Sequence, residues 1–194
     1  MKVLLATLAL LWAFTSAQAQ VKLPKLHGWV NPLPTDSTTG KVSYQGVVQV
    51  PGATQASLYA NAKKWFATAP GPTKIVLDTD NPTAGKISGK TSELVMQNFL
   101  GANVQVPLWR TITIQVKPGR YRYKITDYSF DSGKGQGAVT PIENYLTPNA
   151  LTFDDNGYPK PVLQSTIDAI QRNGRQQVNS IRQVMGGKSP DDNW

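Results

Sequence analysis

The chain has 194 residues, no cysteine, and a formal charge of +8 from 20 lysine and arginine against 12 aspartate and glutamate side chains. Without cysteine there is no disulfide, thiolate nucleophile or cysteine-ligated metal, so an exported form must be held by packing alone. A modest cationic excess suits an anionic polymer or surface, yet it is common on soluble proteins without such a partner, and charge by itself assigns nothing.

Lys2, the nearly continuous apolar run Val3 to Phe14 and the small-x-small site Ala17-Gln18-Ala19 predict a cleaved secretory leader over residues 1–19, with Gln20 as the mature start. The run is shorter than a membrane-spanning helix needs. Nothing later in the chain is long and apolar enough to span, and no cysteine stands near the cleavage site to carry a lipid. The expected destination is a periplasm or the outside, with a charge of about +7 once Lys2 is lost. Residues 20–40, with Pro24, Pro32 and Pro34 and little periodicity, predict an irregular N-terminal arm. In it, His27 is the chain's sole histidine, with no identifiable partners for a metal site or a general base, and Trp29 is expected to be a packed anchor.

Lys41 to Val50 predicts a first strand, with Val42, Tyr44, Val48 and Val50 on one parity and Gly46 marking a bulge or a close approach. Thr54 is a fitting N-cap for a helix to about Ala67, whose stripe of Leu58, Ala62 and Trp65, with Tyr59 and Phe66 beside it, needs a sheet to cover. Pro70-Gly71-Pro72 stops it. Lys74–Leu77 and Lys86–Lys90 predict two short strands in a hairpin. Asp78 and Asp80 read as turn residues between them, because no calcium-loop pattern with its closing glutamate follows. Ser88-Gly89-Lys90-Thr91 resembles the end of a phosphate loop, but Ala84 stands where that motif requires its first glycine, and no cofactor is implied. Thr91 to Pro107 fits a helix or a strand.

The strongest local signal runs from Arg110 to Phe130. Ile112, Ile114 and Val116 alternate with polar residues up to Pro118-Gly119, and Tyr121, Tyr123 and Ile125 alternate with Arg120, Arg122, Lys124 and Thr126 on the way back. Period two on both sides of a turn predicts a hairpin pairing Val116 with Tyr121, Ile114 with Tyr123 and Ile112 with Ile125; a loop of two or four residues keeps this parity. Beyond it, Gly133, Gly135 and Gly137 predict a loop, and Leu146 to Lys160 a small hairpin or a covering loop with Leu151, Phe153 and Tyr158 as packing contacts. From Val162 to Met185 the apolar spacing predicts a helix, with Gly174 at a core position where close approach to the sheet is possible. The expected architecture is α+β: a curved antiparallel sheet with helices packed on one face, in one domain over residues 41–185, followed by a polar tail over 186–194.

Leu58-Tyr59, Lys64-Trp65-Phe66, Gly85-Lys86-Ile87-Ser88-Gly89 and Gly119-Arg120-Tyr121-Arg122-Tyr123-Lys124-Ile125-Thr126-Asp127 together resemble an exported Bacteroidetes domain family of unknown function, the DUF4468 type, over roughly Lys41 to Phe130. That resemblance implies a fold similar to the TATA-binding protein (TBP). It implies no reaction, no catalytic residues and no DNA binding, since one fold hosts unrelated functions.

For function, the polar parity of the central hairpin projects Lys117, Arg120, Arg122 and Lys124 together, which is either a solvated outer face or an interaction surface for an envelope protein or an anionic glycan. Single-stranded nucleic acid is disfavoured because Tyr121 and Tyr123 point to the expected core. A hydrolase is the competing class, with Asp127, Asp131, Glu143, Asp154 and Asp155 as the carboxylates from which a catalytic pair could be drawn. No Gly-x-Ser-x-Gly elbow accompanies His27. The sequence thus favours a non-catalytic binding or structural module of the cell envelope over a carboxylate hydrolase, with no cofactor and no metal site.

Overall fold

The computed structural model describes residues 28–69, 74–99, 101–131 and 139–186. The leader expected over residues 1–19, His27, Pro70-Gly71-Pro72, the glycines at 133, 135 and 137 and the tail from Gly187 lie outside the described residues. Within them the elements run β1 (Tyr44–Gln49), α1 (Gln55–Thr68), β2 (Lys74–Asn81), β3 (Lys86–Phe99), β4 (Ala102–Lys117), β5 (Arg120–Asp131), β6 (Val139–Pro141), α2 (Glu143–Leu146) and α3 (Pro161–Met185). All pairings are antiparallel, in the order β1-β5-β4-β3-β2, and β6 pairs with the far end of β5.

The centre of the sheet is the hairpin that the alternation dictates. Val116 pairs with Tyr121, Ile114 with Tyr123 and Ile112 with Ile125, and Lys117 pairs with Arg120 across a two-residue Pro118-Gly119 loop. These apolar residues are all buried, together with Ile87 and Leu108. The helices cover this face. Thr54 caps α1 by accepting from the Ser57 amide at 3.1 Å, and α1 buries Leu58, Tyr59, Ala62, Trp65 and Phe66. Trp65 also donates its indole N–H to Ser180 on α3 at 2.8 Å. On α3, Leu163, Ile167, Ile170, Ile181 and Met185 are buried at helical spacing, each contributing about 1.5–3 kcal/mol by leaving water. Among the described residues no helix is long and apolar enough to cross a membrane.

Open readings are decided and two expectations are corrected. Residues 91–99 and 102–107 are strand: Leu94 faces Pro107, Val95 faces Val106 and Gln97 faces Val104, so β3 and β4 form one long ribbon. Its apolar residues fit a helix equally well locally, and only the cross-strand ladder selects the pleat. Asp78 and Asp80 are in β2 and not in a turn. Asp80 pairs with Lys63 on α1 at 3.0 Å and accepts the Tyr59 hydroxyl, tying β2 to the helix. Leu151 and Tyr158, expected to pack, are 70% and 55% exposed, and only Phe153 of that trio is buried. The segment between α2 and α3 is a covering loop with a single Phe153–Pro159 bridge. The arm is less loose than its prolines suggest, since Leu33 is buried and Thr35 bridges to Val42.

Two glycines are required by tyrosines. A Cβ at Gly46 would lie 2.7 Å from the Tyr123 hydroxyl, and one at Gly174 would lie 2.4 Å from ring carbons of Tyr44, so α3 sits directly on β1. Replacing Gly174 by alanine gains about 1 kcal/mol of helix propensity, but overpacking of this kind costs about 1–3 kcal/mol. Gly174→Ala is therefore expected to lower the free energy of urea unfolding, and to become neutral or stabilising when Tyr44 is also alanine. A single variant more stable than the parent would refute the close packing.

Candidate functional site

The helices cover one face of the sheet, so the alternate residues of every strand form an open outer face. Register fixes its rows: Lys117 beside Arg120 and Gln49, then Lys86, Gln115, Arg122 and Val47, then Ser88, Thr113, Lys124 and Gln45. The four basic residues singled out in the sequence do share this face, but they separate into three and one. Lys117, Arg120 and Arg122 are exposed and, with Val47 and Gln115, border a depression of about 400 Å3 at the hairpin end. Arg122 is steadied by its Nε, which donates to the Gln115 side chain at 3.1 Å. Lys124 is half-buried and donates to Asp36 of the arm at 2.8 Å, so its charge is already matched. Lys86 and Lys90 were missed. The outward parity of β3 puts them on the same face, and they become visible only when Ile87 and Gly89 are recognised as the buried set.

Toward the other end β5 bulges. Thr111 pairs with Thr126 and Trp109 with Ser129, leaving Asp127 and Tyr128 opposite Arg110 alone. Asp127 takes φ 55°, the left-handed region that Asp tolerates better than most residues. The extra residue switches parity: Ile125 and Tyr128 are both buried, which strict alternation from Tyr121 does not allow. Burial pushes the Tyr128 phenol up, and its ring meets Tyr44 edge-on at 6.2 Å. Arg110, also buried, pairs beneath α3 with Glu93 at 3.1 Å, and Asn173 donates to the same carboxylate. Burial pulls the Arg110 guanidinium down, with the Glu93 charge opposing that shift.

On the outer side of the bulge lies a pocket of about 450 Å3, whose walls include Lys41, Lys90, Trp109, Asp127, Pro141 and Glu143. Asp131 also borders it, so three of the five carboxylates considered for acid–base work are gathered at one place. Two of them hold structure: Asp127 pairs with Lys41 at 2.5 Å and Glu143 accepts the Val42 amide at 3.0 Å. The Asp127 hydrogen bond, then its charge, pushes the Lys41 amine up. Asp154 stays apart, its side chain accepting the amides of Asn156 and Tyr158 in the covering loop beside Asp155. Among the described residues no three acidic or histidine side chains are grouped to hold a metal ion.

Residues 44–131 match the family model described as a domain of unknown function (DUF4468) with TBP-like fold. Among solved structures, the chain is similar to a DUF4468 family protein from Bacteroides ovatus, at 16% identity and a TM-score of 0.61, over 80% of this chain and 92% of that one. A TBP-like protein from Parabacteroides distasonis gives 16% identity and a TM-score of 0.45, over 74% of this chain and 94% of that one. No curated protein matches. These likenesses concern fold.

The Lys124–Asp36 pair has a pH signature. Hydrogen bonding from Lys124, then from the amides of Thr38 and Thr39, holds the Asp36 carboxyl below its ordinary value of 3.8. A carboxyl depressed by folding contributes stability above its unfolded value and loses it as pH falls through its folded value. Acid unfolding of the native chain should therefore be steeper than that of Asp36→Asn below that ordinary value. Identical acid limbs for the two proteins would dismiss the pair as an anchor.

Proposed function

For a chain whose residues 44–131 form a DUF4468 domain with a TBP-like fold, we propose a non-catalytic binding role at the cell envelope, with the outer sheet face as its working surface and an anionic glycan as its ligand. The observation that carries this reading is the convergence of Lys117, Arg120 and Arg122, exposed and, among the described residues, without an acidic neighbour in their depression. Guanidinium forks suit carboxylate and phosphate groups. Thr111, Thr113 and Gln115 add neutral hydrogen-bonding side chains along the adjacent strand. A protein partner would need a desolvated apolar centre, and among the described residues at this end only Val47 is a large exposed apolar residue. Tyr121 and Tyr123 are 1% and 4% exposed, so no stacking platform for nucleotide bases stands among the cations. The leader-like pattern of Lys2, the apolar run Val3 to Phe14 and Ala17-Gln18-Ala19 supports a periplasmic or secreted location.

The second reading is an envelope hydrolase, and its support is the common pocket of Asp127, Asp131 and Glu143. The engagement of Asp127 by Lys41 and of Glu143 by the Val42 amide weighs against it. Release of reducing ends from an envelope glycan by the native chain, absent in Asp127→Asn/Glu143→Gln, would reverse this order of preference.

The binding role predicts that polygalacturonate is retained by the mature protein in affinity electrophoresis and lost, by about tenfold or more in affinity, in Lys117→Glu/Arg120→Glu/Arg122→Glu. Binding should weaken with added salt, as exposed charges are screened. Lys124→Met should alter stability and leave retention largely intact. Retention unchanged by the triple reversal would remove the basic face as the working surface.

A further inference from the structure

We propose that the pocket at the Asp127 bulge is a subsite for an uncharged sugar ring. This deepens the binding role above: one oligosaccharide would be read in two parts, a ring at Trp109 and acidic groups at Arg120 and Arg122. The three tryptophans of the described residues differ in employment. Trp65 is buried and donates to Ser180, and Trp29 meets Phe153 edge-on at 5.3 Å. Trp109 is half-buried on the outer face and borders the pocket, and among the described residues neither a hydrogen bond nor a ring contact engages its indole. A large ring left partly in water gains by being covered.

What surrounds it defines the occupant. Pro141 and Val139 continue the apolar surface, while Asp127, Glu143, Lys41 and Lys90 provide the polar rim. An apolar plate edged by hydrogen-bonding groups complements a sugar ring, whose faces are C–H and whose rim is hydroxyl. Carboxylates accept hydroxyl protons in short, charge-assisted bonds. The rim also argues against an acidic group at this spot. Among the described residues, Asp127 and Glu143 would meet such a group with like charge, and Arg110, which also borders the pocket, is matched by Glu93. The volume, about 450 Å3, falls in the range of small-ligand sites.

The two parts are in line. Trp109 and Gln115 lie on the same strand with the same parity, and Gln115 pairs with Arg122. At about 3.3 Å per residue the separation is roughly 20 Å, a reach of several sugar units. Lys90 and Thr111, paired with each other, lie along that path. The bulge makes this possible because it turns Tyr128 inward and leaves Asp127 beside the ring's pocket.

The test is calorimetric titration of the native mature protein, Trp109→Ala, Trp109→Phe and Arg120→Glu/Arg122→Glu with cellotetraose, chitotetraose and tetragalacturonate. The native protein is expected to bind tetragalacturonate and at least one neutral tetramer. Trp109→Ala should lose about tenfold or more for the neutral tetramer and leave tetragalacturonate binding largely intact, Trp109→Phe should keep most of the neutral affinity, and the double reversal should lose only the acidic probe. If the native protein binds tetragalacturonate alone, or if Trp109→Ala binds every probe as tightly as the native chain, the ring subsite is overturned and the basic-face role stands. If the native protein binds none of the three, both fall.

Discussion

An antiparallel sheet covered on one face only must sort its residues by parity, and that constraint governs this molecule. From Leu108 to Val116 of β4 and from Tyr121 to Ile125 of β5, every second side chain enters the layer beneath the helices, and the intervening ones are left on the outer face. A one-residue slip of the central hairpin would carry Arg120 and Arg122 into the core and Tyr121 and Tyr123 into water. The fold and the composition of the outer face are therefore one choice. The same register that buries Ile112 against Ile125 aligns Lys117, Arg120, Arg122 and Lys86 on the opposite side.

The β5 bulge relaxes the constraint at one place. It brings Tyr128 under α3, beside a polar interior in which Glu93 joins Arg110 of β4 to Asn173 of the helix. Burying a guanidinium is expensive, and a paired carboxylate with a further hydrogen-bond donor is what makes it tolerable. The interior is thus not uniformly apolar: Gln97 also donates to Thr166 of α3 at 2.8 Å. Directional links of this kind, together with the contact of Gly174 on Tyr44, give α3 a defined position along the strands where apolar packing alone would permit sliding.

Seen from outside, the face is graded. Long cations dominate at the Pro118-Gly119 end, a pocket with a tryptophan and carboxylates opens at the bulge, and beyond it β3 carries exposed Leu94 and Met96. The arm trims this surface by engaging Lys124 with Asp36, so the usable basic group is narrower than the sequence alone suggests. At the bulge Asp127 holds Lys41 and Glu143 holds the Val42 amide, so both carboxylates tie the start of β1 and the arm to this end of the sheet.

The sequence by itself determined the hairpin, its register, the two long helices and the α+β class, because period two and period 3.6 are local consequences of which side must be dry. It also marked Gly174 as a place of close approach and Gly46 as either that or a bulge, and it put Lys117, Arg120, Arg122 and Lys124 on one surface. Tertiary structure alone decided what depended on partners distant in the chain. Whether Leu94 and Met96 belonged to helix or strand was settled by pairing with β4, and Asp80 became an anchor by meeting Tyr59 and Lys63. Lys124 lost its freedom to Asp36, a residue 88 positions away. The gathering of Trp109, Asp127, Asp131 and Glu143 around one pocket required a bulge that breaks the alternation, and a broken period leaves no periodic signal to read.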